Sequence, residues 1–179
     1  MPITIGGAVG RLEEGQRALD DALAGLTDQQ IRRTATLGGG GWSVKDLIDH
    51  IASWERRALE VFDAAARDAP FEALIGIRAV DVLNERNLAA SRARSLRDVR
   101  RDARTAHREL MARMAGQTAD DWRSLVTMST GRRHQLGTLV GSTTAGPSGP
   151  FMHVWAHLPD LHSYLAKVRR QPPGGRLKR

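Results

Sequence analysis

Three histidines are the residues in this chain best suited to chemistry: His153 and His157, four apart, and His50, a hundred residues earlier. At i, i+4 spacing the first two lie on one face of a helix, within FMHVWAHLPDLHSYLAKV, and Leu161, Tyr164, Leu165 and Val168 continue that inward face. Two imidazoles one turn apart can grip a single metal ion. A third neutral ligand from another helix completes a set that leaves positions open for water or substrate. His50 is the candidate third ligand, and it would also be a catalytic residue through that metal. Glu55, five residues on, falls near the middle of the same apolar stripe. It can act there as a general base or a fourth ligand, although an ion pair with an arginine such as Arg86 explains it equally well. Trp42, Trp54, Trp155 and Tyr164 are the candidate walls of a substrate pocket, or else simply core.

The spacing has plainer readings. Paired histidines recur by chance, and a lone histidine beside an apolar stripe is commonly a hydrogen-bonded core residue. Pro159 follows His157 closely, removes a helix hydrogen bond and predicts a kink or restart there. His107, His134 and His162 fall off these faces and read as surface residues.

Helices must position these groups. GWSVKDLIDHIASWE, Gly41 to Glu55, opens with Ser43 three residues before Asp46, a capping-box spacing, and predicts a helix from Ser43 to about Asp68, ended near Pro70. A four-glycine run, Gly38 to Gly41, leads into it. Residues 8 to 26 form a first amphipathic helix, and Thr27 with Gln30 caps a short one. A third helical segment starts near Ile77 and breaks at the Ser95/Asp98 cap, after which Val99, Ala103, Ala106, Leu110 and Met114 face inward. Its outer side is crowded with arginine, from Arg92 to Arg113, which reads as a solvated face partly paired with acids and alternatively as an anion-binding face. Thr118 with Asp121 caps another short helix. Residues 127 to 150, rich in Gly, Ser and Thr, read as a long loop, and no strand pattern stands out. The expectation is an all-α four-helix bundle, up-down-down-up or similar, with short extra helices in its loops. It occupies residues 1–170 as one domain, followed by a disordered basic tail, 171–179.

The chain's 179 residues suit one domain, and the absence of cysteine excludes disulfides and thiolate metal ligands. No run approaches the roughly 18 apolar residues of a membrane span, and MPITIGGAVGR does not resemble a signal peptide. A cytoplasmic protein without membrane partners is expected. A net charge of +7 raises the prospect of anionic partners, but aromatic residues are only 4% of the chain, too few to stack many bases. Nucleic acid is therefore not favoured. A homodimer is an open alternative.

GWSVKDLIDHIASWERRAL, the later VLNERN and the C-terminal His-x-x-x-His helix together resemble the DinB/YfiT-like superfamily, and within it the ClbS/DfsB-type branch. The resemblance implies a four-helix bundle whose core holds a divalent metal, zinc, nickel or similar, on three histidines, here His50, His153 and His157. It implies a metal-dependent enzyme acting on a small electrophilic molecule, foremost a self-resistance or detoxification hydrolase that opens a reactive ring. Alternatives are a low-molecular-weight-thiol S-transferase or isomerase of the same superfamily, a drug-sequestering protein without turnover, and a nucleic-acid-associated protein using the arginine-rich helix. Val154, where the family often has Tyr, Pro159, and the GSTTAGPSGP segment depart from the pattern.

Overall fold

The helices begin where side chains can take up orphaned backbone N–H groups. In the computed structural model, which describes residues 3–34, 36–37 and 41–170, Ser43 Oγ accepts from the Asp46 N–H at 3.1 Å while an Asp46 carboxylate oxygen accepts from the Ser43 N–H at 2.9 Å. This reciprocal box starts α3 (Val44–Ala66). The same device starts α2 (Asp28–Arg32) at Thr27 and α6 (Ala119–Arg123) at Thr118, while Thr4 caps α1 (Ile5–Leu23) and Ser95 caps α5 (Leu96–Ala115). Ser95 thus separates α5 from α4 (Gly76–Arg92), as its spacing predicts. Gly38–Gly40 and the tail 171–179 lie outside the described residues.

Residues 127–150 are not a plain loop. They take part in a short antiparallel hairpin, β1 (Leu125–Thr127) and β2 (Arg133–Gln135), with Val126 opposite His134, followed by α7 (Leu136–Thr143). Three-residue strands are too short to show alternation. The sequence of α7, LGTLVGST, is poor in helix formers, so its helicity comes from tertiary burial of Leu136, Leu139 and Val140. Its glycines permit that contact. A Cβ at Gly137 would come within 2.3 Å of the Trp122 indole, and one at Gly141 within 2.8 Å of the Phe151 ring.

The last helix, α8 (His153–Arg170), runs unbroken through Pro159. Pro159 is exposed, so water can serve the carbonyl it leaves without a donor, and no restart is needed.

Four long helices close the bundle: α3 packs along α5, α1 bridges α5 and α8, and α8 meets α3 over a short contact only. α4 and α7 pack on α3 as well. Two apolar clusters fill the interior. One gathers Phe62, Leu110, Met114, Trp122, Val140 and Phe151 near α6 and α7, and the other gathers Leu19, Ile31, Leu47, Val99, Leu161 and Tyr164 near α2. Burying each such large side chain is worth about 1.5–3 kcal/mol. A void of about 10 Å³ separates them locally, lined by Leu12, Ile51, Phe151 and Val154 together with the polar Glu55 and His153. Lys45, buried at the start of α3, donates to the carbonyls of Ser91 and Arg94 at 2.8 and 2.9 Å, and so fixes the C-terminal end of α4. Among the described residues no helix is long and apolar enough to cross a membrane.

Candidate metal centre

The three histidines meet at the sparse contact between α3 and α8. His50 comes from the second turn of α3. His153 opens α8, its N–H tied to the Thr144 carbonyl at 3.0 Å, and His157 follows one turn later. Nε2 of His153 lies 3.1 Å from Nε2 of His50 and 3.1 Å from Nε2 of His157. The rings stand edge-on, with centroids 4.8–5.0 Å apart.

Burial, and then the neighbouring His157, push the pKa of His50 down to about 3. Burial followed by His50 and His157 push His153 down to about 2. Burial lowers His157 too, against the opposing charge of Asp160. All three imidazoles are therefore neutral near pH 7, the form that offers a lone pair to a metal.

The donor set fits a divalent ion. Three ligand atoms lie within 4.8 Å of one another, and two nitrogens sharing a tetrahedral zinc would sit roughly 3.3 Å apart. Three neutral nitrogens without a carboxylate suit zinc, nickel or a similar metal rather than magnesium or calcium.

The histidines open onto a cavity of about 470 Å³ between α3, α4, α7 and α8. Trp54 forms one wall, its ring 6.1 Å from His153 and its Nε1–H donating to Asn84 Oδ1 at 3.1 Å, which holds the indole in place. The other expected wall residues are elsewhere. Trp42 stacks edge-on against His50 at 4.8 Å but does not line the cavity. Trp155 packs against Gly15 of α1, and Tyr164 donates its hydroxyl to the Gln30 carbonyl at 2.8 Å; both belong to the core beside α2.

Glu55 is buried, but its partner is neither the metal cluster nor Arg86, which is exposed. Its Oε1 pairs with His107 Nδ1 at 2.7 Å. His107 is thus no surface residue: its side chain is 18% exposed and faces Glu55 across the α3–α5 seam. Burial alone would lower the His107 pKa. The hydrogen bond and charge of Glu55, with help from Asp20 and Glu13, more than reverse this and raise it.

Sequence reasoning missed Arg57 and Asn84 in the cavity lining. Arg57 was findable, since it lies seven residues after His50 and three after Trp54, on the same stripe. Asn84 needed the packing of α4 to be known. On α5 and its neighbours, Arg94, Arg100, Arg101 and Arg113 pair with Asp49, Asp28, Asp98 and Asp63, as a solvated, acid-paired helix face would.

Residues 12–162 match the family described as the mycothiol maleylpyruvate isomerase N-terminal domain. None of the curated proteins matches. Several solved structures share the fold. A mycothiol-dependent maleylpyruvate isomerase superposes with a TM-score of 0.67 at 15% identity, over 89% of this chain and 61% of that one. The chain thus spans 61% of the isomerase's length. An uncharacterised protein from Escherichia coli UTI89 gives 0.76 at 12% identity, over 94% of this chain and 96% of that one. YfiT from Bacillus subtilis, described as a probable metal-dependent hydrolase with an unusual four-helix bundle topology, gives 0.58 at 17% identity, over 92% and 87%.

Proposed function

The chain belongs to the mycothiol maleylpyruvate isomerase N-terminal domain family, within the DinB/YfiT-like superfamily, and on that premise we propose that it is a metal-dependent enzyme bringing a low-molecular-weight thiol to a small electrophilic molecule. The observation that carries this reading is the convergence of three neutral imidazoles on the end of a cavity whose described lining contains no Asp or Glu. His50, His153 and His157 would hold a divalent ion, which would supply Lewis-acid chemistry strong enough to take a coordinating thiol to its thiolate, the proton passing to solvent, whereas a coordinating water would only have its pKa lowered to about 7. A thiol therefore needs no carboxylate base in the cavity. Trp54, Phe71, Leu74 and Met128 exclude water around the electrophile and hold it by apolar contact. Asn84 keeps Trp54 in position.

A second reading has specific support. The likeness to YfiT, described as a probable metal-dependent hydrolase, extends over nearly the whole of both chains and supports a hydrolase, whose reaction here would be the opening of a reactive ring. Glu55, which shares the small void with His153, would then manage the proton.

The test is elemental analysis of the purified protein, then reaction of the metal-loaded enzyme with a strained-ring electrophile such as styrene oxide, with and without added cysteine as thiol. A thioether formed over many turnovers and lost in His153→Ala supports the first reading, and a diol formed without thiol supports the second. Stoichiometric capture without turnover, or no metal in the native protein, overturns both.

A further inference from the structure

We infer that the bundle carries a second small-molecule site, on the opposite side of α3 from the histidines, which takes a neutral hydrocarbon bearing a hydroxyl group, such as a phenol. α1 packs mainly along α8 and meets α5 only lightly, so α1 and α5 part over α3. The gap between them is a cavity of about 370 Å³. Leu19 and Leu23 of α1, Ile48, Ile51 and Ala52 of α3, and Ala103 of α5 give it an aliphatic wall. None of the three clustered histidines lines it, so α3 divides it from the metal cavity.

Glu55 and His107 stand together in that wall. The pair is matched in charge but not in hydrogen bonds. Its contact, at 2.7 Å, uses only Glu55 Oε1 and His107 Nδ1. Among the described residues Glu55 Oε2 and His107 Nε2 have no hydrogen-bond partner, yet neither atom is sealed from a water-sized neighbour. Glu55 is 4% exposed, and a carboxylate oxygen held so deep without a donor calls for a reason. A hydroxyl supplies one, because it can donate to Oε2 or accept from the Nε2–H of a charged imidazole. The surrounding charges favour a neutral ligand. His107 matches Glu55, and Asp28 matches Arg100 at 3.1 Å. Asp20 and Arg104, both exposed, offset each other at the rim. An apolar pocket with one convergent polar pair suits a small molecule better than a chain segment.

The experiment titrates 4-ethylphenol and its isostere 4-ethyltoluene into the isotope-labelled full chain and follows backbone amide resonances, with the wild type zinc-loaded and His153→Ala metal-free. The phenol should bind at least about tenfold more tightly than the hydrocarbon, the ratio one charge-assisted hydrogen bond supplies. Its affinity should be the same in both proteins, and the amides of Leu23, Ala52 and Ala103 should move in both. Ala103→Phe fills the cavity from a half-buried position one turn before His107, and it should abolish binding with zinc content unchanged. Glu55→Gln should shrink the ratio toward one. Equal affinity for the two probes, shifts confined to residues of the metal cavity, or undiminished binding in Ala103→Phe overturns the inference. So does a tighter hold on 4-ethylbenzoate or 4-ethylbenzylamine, which would mean that the pocket wants a charge. The site is independent of the metal, so none of these results bears on the thiol reaction.

Discussion

The two sides of α3 put the same side chain to opposite uses. Facing α5, His107 meets the Glu55 carboxylate, and its pKa is raised. Facing α8, His50 meets two more imidazoles, and all three pKa values are lowered. Burial acts in the same direction at both places, so the difference comes from the partner. A histidine beside a carboxylate is complete as it stands. Three histidines beside one another are not, because at most two ring nitrogens can share one proton and the remaining lone pairs point at a common space. The first arrangement holds two helices together, whereas the second is the proposed cation site.

The most severe way to break this contrast is His153→Ala. It removes the nitrogen shared by both close contacts, and metal affinity should fall by more than the about 10–100-fold typical of losing an outer-shell partner. Metal content after dialysis checks it, and a variant that keeps its full complement would show that the site does not depend on this residue. On the other side, Glu55→Ala strands His107 without an acceptor and should cost about 1–3 kcal/mol in urea unfolding, with metal binding intact. Loss of metal in that variant would mean that the two sides are not independent.

Acidity separates them next. For His50 and His153 the folded values lie below the ordinary 6.5, so the unfolded chain binds more protons and metal-free stability should fall as pH drops from about 6.5 toward 3. For His107 the folded value is raised, so its contribution is full below 6.5 and is lost as pH rises through that folded value. Thermal unfolding across pH should show a shallower acid limb in His153→Ala and lose its alkaline limb in Glu55→Gln. Identical profiles in both variants would refute the division. Smallest is Ser43→Ala, which removes the cap common to both faces and should cost about 1 kcal/mol without favouring either.

Much of the frame was legible because capping is local: Ser43, Thr27, Ser95 and Thr118 each declare a helix start within three residues. The metal candidates were legible for a related reason, since i, i+4 spacing on α8 survives folding and Pro159 sits where the helix tolerates it. What could not be read depends on distant partners. Glu55 and His107 are 52 positions apart, and nothing near either one predicts the other. α7 has the composition of a loop and becomes a helix only because Trp122 and Phe151 accept its glycines. Trp155 and Tyr164 share the histidines' helix, yet its rotation turns them toward α1 and Gln30.

The buried ammonium of Lys45 has one more implication. It clasps the end carbonyls of α4, while the opposite end starts at Gly76 with φ +77° and an N-cap, Ile75, that offers no side-chain hydrogen bond. Leu74, Val80 and Asn84 sit over the cavity on the unclasped side. The two ends of α4 are thus secured by different means, a buried ammonium at one and the backbone pairing of Phe71 with Thr127 and Ser129 just ahead of the other.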